Sequence, residues 1–290
     1  MRACCLACCS LLDVAEAFEE TICAVDTLST IAMVVFGFLA LVLLILLITC
    51  GEMALCTNLL QGQPAEWALL RRHPSEDVFG AQICGGYPDA VSRCAQLIDD
   101  EFVSAGGIDF VDINMGCPID LICNKGAGSM LLQKPDRMEL VARAAAPLLS
   151  CPLTLKTRVG YYDNKRVAHE IIPRMASWGV RAVTLHGRSR QQRYSRLADW
   201  KYIGECVSSA NALCGKGEAN ETNAFSVIGN GDVFGFRDYD AHVSASGGAG
   251  AATCMIARGA LIKPWTVSYT HLRAHETRGN LVCRHLLEKK

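Results

Sequence analysis

The sequence predicts an α/β fold, an incomplete (β/α)8 barrel of the TIM type with about seven of its eight strands. Between residues 50 and 265, short apolar runs alternate with segments of helical period, a pattern typical of βα units and a parallel sheet. Nearly every run ends in a polar or Gly-rich turn, and parallel barrels gather their sites at that end. The chain of 290 residues is also long enough for one large domain.

Seven apolar runs are the predicted strands, and each is bounded by turn-forming residues. Helical periodicity lies between several of them, most clearly at 90–103, 137–149 and 167–178. The polar, Gly-containing segment 215–223 predicts a surface insertion before the sixth strand. In chain order the predicted strands are Met53–Cys56, Val78–Ile83, Ile108–Asn114, Leu153–Thr157, Ala182–Leu185, Phe225–Ile228 and Thr253–Ile256.

The chain divides into three segments of different character. Residues 1–49 contain an apolar run, Ile31–Ile48, that is long enough to cross a bilayer as a helix. Acidic residues precede this run where a cleaved signal peptide would carry basic ones. Residues 50–265 carry the alternating pattern of the barrel, and residues 266–290 form a polar, basic tail that lacks it.

The apolar run leaves two hypotheses for the amino-terminal segment. It is either a transmembrane helix that precedes an incomplete barrel, or sequence that is foreign to this fold. A barrel of this type closes with eight strands, and a seven-stranded remnant exposes two unpaired edges beside its site. We therefore favour foreign sequence for residues 1–48 and keep membrane anchoring through Ile31–Ile48 as the alternative.

Charge and cysteine usage narrow the class of protein. The 28 Lys and Arg residues nearly balance 29 Asp and Glu residues, so no global basic field indicates a nucleic-acid partner. Residues 181–201 nevertheless hold six basic residues and one acidic residue, a local net charge of +5 that is compatible with an anionic partner. The 16 Cys residues are scattered rather than spaced as a disulfide framework, which favours a reducing compartment. We expect no metal site and identify no protein partner.

Polar and reactive side chains close the predicted strands. Asp112–Pro118 places a carboxylate, an amide and a thiol together after the third strand, at the end where parallel α/β folds bind ligands. The last two strands end in Gly-containing turns, Gly229–Asp232 and Ala257–Gly259, whose N–H groups are suited to phosphate. The other side chains at strand ends are Gln82, Asn114, Cys117, Lys156, Arg158, His186 and Arg188.

These strand ends together resemble the tRNA-dihydrouridine synthases, which are flavin-dependent barrels. The resemblance covers about residues 49–265, and its most specific part is Asn114-Met115-Gly116-Cys117-Pro118 within Asp112–Pro118. Two further stretches, 50–58 and 192–200, are similar to the eukaryotic branch that modifies the variable-loop uridine at position 47. The other matching stretches are Leu155–Arg158, Leu185–Arg188, Gly229–Asp232 and Ile256–Gly259.

The resemblance implies an FMN-dependent oxidoreductase that takes electrons from NAD(P)H, with NADPH as the expected donor, and reduces a tRNA uridine to dihydrouridine. By that match, Cys117 is the general acid. Gln82 and Asn114 would bond to the flavin or the base, and Lys156 and His186 would stabilise negative charge on the flavin. The residues grouped with the cofactor phosphate are Asn230, Gly231, Asp232, Ala257, Arg258 and Gly259.

The resemblance also implies tRNA as the partner and a cytoplasmic or nuclear location. The alternatives are an inactive membrane-tethered relic of the enzyme and an FMN barrel that acts on a free pyrimidine. Because the first family strand and the helical tRNA-binding domain have no visible counterpart, we expect weak FMN retention and weak tRNA affinity. The residues expected to contact RNA are Lys125, Arg158, Arg188, Arg190, Arg193 and Tyr194.

Overall fold

A parallel sheet is the frame of the part of the chain that the computed structural model describes, residues 48–214, 225–243 and 250–263. Its strands are largely buried, and helices follow most of them in the chain, as a parallel sheet requires. The strands are β1 (Ile48–Cys50), β2 (Ala54–Leu55), β3 (Val78–Cys84), β4 (Phe110–Asn114), β5 (Leu153–Arg158), β6 (Val180–His186), β7 (Ser226–Asn230) and β8 (Thr253–Met255).

The strand order is β1-β3-β4-β5-β6-β7-β8, and every pairing is parallel. β2 pairs with the carboxyl end of β3, beyond β1, so these two short strands share one edge of β3. The eight strands therefore fill seven positions. Within the described residues β8 pairs with β7 alone and does not meet β1. The prediction of an α/β fold with a parallel sheet that forms part of a barrel is confirmed.

Helices and short helical turns cover the segments between strands. The three predicted helices are confirmed as α3, α5 and α6, and a single helical turn extends each of them. α3 and α5 begin with a Pro in the first turn, where its missing N–H is tolerated. The helices are α1 (Cys56–Leu60), α2 (Pro64–Ala68), α3 (Pro88–Ile98), α4 (Asp120–Asn124), α5 (Pro135–Ala145), α6 (Ala168–Met175), α7 (Trp200–Cys214), α8 (Phe236–Val243) and α9 (Arg258–Ile262).

Several predictions fall on residues outside the described ranges. These are the apolar run up to residue 47, the insertion at 215–223 and the tail at 266–290. Ile48, the last residue of the apolar run, begins β1 and is 64 % exposed. The sheet thus includes two residues that the sequence assigned to the amino-terminal segment. Among the residues with described structure, no helix is long and apolar enough to cross a bilayer.

Candidate active site

The strand registers bring the predicted site residues to one edge of the sheet. Gln82 on β3 is aligned with Asp112 on β4, and Asp112 is aligned with Thr154 on β5. Two residues further along, Asn114 is aligned with Lys156. Aligned residues of parallel strands point to the same face, so these side chains form rows. The row nearest the carboxyl ends is Arg158, His186, Asn230 and Met255.

A chain of hydrogen bonds, here called the amide relay, joins Asp112 to the loop that carries Cys117. Gln82 Nε2 donates to Asp112 Oδ2 at 2.8 Å, and Asn114 Nδ2 donates to Gln82 Oε1 at 2.9 Å. Asn114 Oδ1 accepts from the backbone N–H of Gly116 at 3.0 Å and from that of Cys117 at 2.9 Å. Gln82 and Asn114, both expected to contact the cofactor or the base, therefore also contact each other.

The Cys117 backbone is fixed at its carbonyl as well as at its amide. The carbonyl oxygen accepts from Ser129 N–H at 3.0 Å and from Ser129 Oγ at 2.9 Å. The side chain is 8 % exposed and packs beside Cys84. Burial raises the pKa of the Cys117 thiol, although the charges of Arg158 and Lys156 act in the opposite direction. The thiol is therefore protonated at neutral pH, the state that a proton donor needs.

An open cleft lies at the carboxyl ends of β5 to β8. Its volume is about 530 Å³, including the part at its solvent-exposed mouth. Eight of the ten residues predicted to bind the cofactor line it. Gln82, Asn114 and Cys117 are outside its lining. The predicted cofactor residues in the lining are Lys156, His186, Asn230, Gly231, Asp232, Ala257, Arg258 and Gly259, joined by Arg158 and Tyr194 of the expected RNA group.

Two basic side chains of the cleft have perturbed protonation. Lys156 Nζ lies 3.4 Å from Asn230 Oδ1, and burial followed by the charge of Arg158 lowers the pKa of Lys156. Burial and the surrounding cations lower the pKa of His186 to about 2. His186 is therefore neutral at physiological pH, so it can offer hydrogen bonds but no positive charge to a ligand. The predicted role of His186 in stabilising negative charge beside Lys156 would then depend on its N–H group.

Arg188, one of the residues predicted to contact RNA, is buried in the protein, and that contact stays a prediction. Its side chain is 3 % exposed, and Nη2 donates to both carboxylate oxygens of Asp232, at 2.7 and 2.6 Å. Asp232 also accepts from the Ala198 N–H at 2.7 Å and lies 3.6 Å from Arg258. Burial acts to raise the pKa of Asp232, but the bond from Arg188 and the other contacts reverse this and hold it low. The ion pair thus binds the β6 loop to the β7 loop.

Arg158 is also buried, at 4 % exposure, and its contact with RNA likewise stays a prediction. Its Nε donates to the Gly116 carbonyl at 2.7 Å, and Nη1 donates to the Ser189 carbonyl at 3.1 Å. Burial lowers the pKa of Arg158 to about 10, so it stays a cation at neutral pH. The charge of an arginine can be read from the sequence but its partners cannot, and these two backbone acceptors show that Arg158 joins two loops.

The other four residues expected to contact RNA keep some exposure. Lys125 and Arg193 are exposed, and Tyr194 is 58 % exposed. The Arg258 guanidinium lies 4.1 Å from the centre of the Tyr194 ring, which links the exposed loop to the cleft. Arg190 is partly buried, because it pairs with the carboxylate of the first residue of α4. These side chains surround the loop after β6 and the start of α4.

The two Gly-containing loops of the cleft pack against each other. A Cβ at Gly259 would clash with the carbonyl oxygen of Val233, and a Cβ at Gly231 would lie 2.7 Å from that of Ala198. Gly231 also has a φ of +122°, which L side chains rarely adopt. Gly259 thus allows the loop after β8 to approach the loop after β7, and Gly231 allows the loop after β7 to approach the loop after β6.

A second cavity beside α4 was not predicted from the sequence. Tyr87, Tyr161, Lys134 and Arg137 line it together with the loop around Gly126. The Arg137 guanidinium stacks on Tyr87 at 4.9 Å, and its buried Nε has no hydrogen-bond partner in the described part of the chain. Neither Lys134 nor Arg137 forms an ion pair with any residue whose placement is described. The cavity therefore combines free positive charge with aromatic surface.

Comparison with known proteins identifies the family of this site. The chain matches the family model described as Dihydrouridine synthase (Dus) over residues 44–288. The chain belongs to the dihydrouridine synthase family. A tRNA-dihydrouridine(47) synthase (NAD(P)(+))-like protein of Oryza sativa subsp. japonica is 52 % identical over 228 residues, which are 79 % of this chain and 31 % of that protein. The resemblance predicted from the motifs is confirmed.

A similarly named protein of Homo sapiens is 46 % identical over 218 residues, 75 % of this chain and 30 % of that protein. The chain thus spans about a third of the length of the curated relatives it matches. Among solved structures, a mandelate oxidase aligns with a TM-score of 0.42 and 12 % identity over 78 % of this chain and 60 % of that one. A likeness at this level carries no argument about the site.

Asp112 and Thr154 are the polar site residues to which the sequence reasoning gave no role. Thr154 Oγ1 donates to Asp112 Oδ1 at 2.7 Å, and Asp112 is 2 % exposed. The sequence did contain an indication of their role, because Asp112 lies within an apolar run. A carboxylate buried in this way needs hydrogen-bond partners. The partners come from β3 and β5, and only the strand registers reveal them.

Proposed function

We propose that the chain carries the reducing centre of an FMN-dependent oxidoreductase that converts a tRNA uridine, at position 47 in the variable loop, to dihydrouridine with NAD(P)H as electron donor. The observation that carries this proposal is the convergence, at one sheet edge, of polar side chains from successive strands around a buried, protonated thiol. Membership of the dihydrouridine synthase family and the names of the relatives support the same reaction.

The cleft suits the charge and shape of FMN. The side chain of Arg258 is 42 % exposed and keeps 3.6 Å from Asp232, so its guanidinium remains accessible to a phosphate. The backbone of Gly259, at the start of α9, faces the same cleft, and Lys156 brings an amine to its floor. These residues would hold the phosphate and the electron-rich ring. FMN, when bound, would supply hydride to the uracil.

Cys117 is assigned the proton transfer. Its Sγ would donate a proton to the uracil carbon beside the one that receives hydride, and the resulting thiolate would regain a proton from solvent. Because the thiol is buried, the uridine has to leave its base stack to reach it. The bond that the Cys117 N–H donates to Asn114 and the bond that Ser129 donates to the Cys117 carbonyl hold the Cys117 backbone while this occurs.

Spectroscopy of the full chain tests this function. A yellow protein with FMN absorbance, bleached by NADPH and reoxidised by tRNA that lacks dihydrouridine, is the expected result, with dihydrouridine then detected by mass spectrometry of the tRNA. A colourless protein with a cooperative unfolding transition would contradict it. That outcome would favour the inactive relic, an alternative suggested by the unpaired outer edges of β1 and β8 among the described residues.

RNA binding is assigned to the rim of the site and to the second cavity. Lys125, Arg193 and Tyr194 offer exposed charge and an aromatic face. Lys134 and Arg137 add cations that no described carboxylate neutralises. Aromatic surface with unpaired cations favours a nucleic-acid strand, because bases stack on rings while phosphates pair with the cations.

The double variant Lys134→Ala/Arg137→Ala is expected to bind tRNA roughly tenfold more weakly at physiological salt, since two phosphate contacts are lost. The slope of log Kobs against log salt concentration should fall in magnitude by roughly 1 to 2. Fluorescence anisotropy with labelled tRNA at several salt concentrations measures both. Arg143→Ala is the control, because Arg143 lies on the same helix but already pairs with Glu139. An equal slope for the double variant and the control would rule out this surface.

A further inference from the structure

We infer that Asp112 is a positioning residue, which fixes the direction of the amide relay and thereby the place of Cys117. The inference rests on the proposed role of Cys117 as the proton donor. Asp112 acts through Gln82 and Asn114, in the order of the hydrogen bonds described above. At 2 % exposure Asp112 offers almost no surface to a ligand, so its role is placed in the relay.

Both ends of the relay dictate the same orientation of its two amides. The backbone N–H groups of Gly116 and Cys117 can only donate, so Asn114 turns its oxygen to them and its nitrogen to Gln82. Gln82 must then present its oxygen to Asn114 and its nitrogen to Asp112, which accepts. A flip of either amide would bring two donors or two acceptors together, and each buried group left unpaired is costly.

Asp112 is suited to fixing the orientation of Gln82 because its other carboxylate oxygen also has a hydrogen-bond partner. Thr154 Oγ1 donates to Oδ1, which leaves Oδ2 for Gln82. Burial raises the pKa of Asp112. Even a protonated Asp112 keeps the relay direction, because Oδ1 can then donate to the Thr154 hydroxyl while Oδ2 still accepts from Gln82. The relay therefore depends on an acceptor at this position and not on its charge.

Two substitutions at Asp112 distinguish a role as hydrogen-bond acceptor from a role in packing alone. Asp112→Leu removes the acceptor, so Gln82 is free to flip and the Cys117 loop loosens. Asp112→Asn keeps an oxygen for Gln82 and turns its amide nitrogen to the Thr154 hydroxyl. We expect Asp112→Leu to disturb Cys117 and Asp112→Asn to preserve it. A role confined to stability would instead leave the reactivity of Cys117 in the folded protein unchanged in both variants.

The test is the rate at which iodoacetamide alkylates Cys117 in the full chain, followed peptide by peptide with mass spectrometry. Asp112→Leu should raise this rate about five- to tenfold, and Asp112→Asn should stay within about twofold of the native rate. Cys151, a partly exposed thiol on the turn before β5, should react equally in all three proteins and is the internal reference. Native-like circular dichroism shows that each variant is folded.

If Asp112→Leu does not fold, Gln82→Met interrupts the relay at its middle with a side chain of similar size and should give the same rise. An unchanged Cys117 rate in a folded relay variant overturns the inference. The alkylation needs neither FMN nor tRNA, so it is independent of the proposed function. If the native chain reduces uridine, Asp112→Leu should also lower kcat while the KM for tRNA stays constant.

Discussion

Replacing Cys117 by Ala is expected to lower the rate of uridine reduction by about 100- to 10,000-fold, the usual contribution of a positioned general acid. The loss should fall on dihydrouridine formation alone. FMN content and the rate of NADPH oxidation should stay native, because Cys117 does not line the cleft that is assigned to the cofactor. Absorbance at the flavin band, NADPH consumption and mass spectrometry of tRNA measure the three quantities on one preparation.

Cys123→Ala is the matched control for this result. Cys123 belongs to the same buried cluster, and its Sγ donates to the Cys117 carbonyl at 3.5 Å, but Ser129 retains that carbonyl at a shorter distance. Uridine reduction in Cys123→Ala should therefore stay within a few-fold of the native rate. Equal rates for Cys117→Ala and the native chain would remove Cys117 from the reaction. A loss of flavin in Cys117→Ala would indicate a binding role instead.

The strands and the loops that bear the motifs were predictable because their signals are local. The apolar run that ends at Asn114 predicts a strand from a few neighbouring residues. The Gly-containing turn at Gly231 likewise predicts where the next-to-last strand ends. β1 was not predictable in the same way. Ile48–Cys50 continues an apolar run, and its assignment as a strand depends on pairing with Val78–Gly80, about thirty residues away in the chain.

The placing of charges was less predictable than the placing of strands. Arg188 and Arg193 stand five residues apart in one basic stretch, yet the side chain of Arg188 is 3 % exposed and that of Arg193 is 57 % exposed. The difference depends on Asp232, which arrives from the end of β7. Burial of an arginine requires a partner that sequence proximity does not reveal. Two of the predicted RNA contacts, Arg158 and Arg188, therefore have partners within the protein that the sequence did not reveal.

Asp232→Asn is expected to destabilise the protein by about 3 kcal/mol, because it leaves the buried Arg188 cation without its carboxylate. Asn suits the site better than Ala, since residue 232 has a φ of +56°, a backbone conformation that Asn tolerates. Urea unfolding should show a lower midpoint with an unchanged m-value. Adding Arg188→Met should recover much of the loss, because an apolar side chain of similar length needs no counter-charge.

Asp120→Asn is the control that separates a buried pair from an exposed one. It makes the same change of charge next to Arg190 and Arg193, but the Asp120 side chain is 67 % exposed, so the loss of stability should stay below about 1 kcal/mol.

The pH dependence of stability also distinguishes the buried pair from the exposed one. Because the folded protein holds the pKa of Asp232 below that of an unfolded Asp, near ~3.9, its contribution is present above that value and is lost as the pH falls through the folded pKa. The stability gap between native and Asp232→Asn should therefore be constant above about pH 5 and close in stronger acid. A gap no larger than that of Asp120→Asn would mean that solvent, and not Asp232, compensates Arg188.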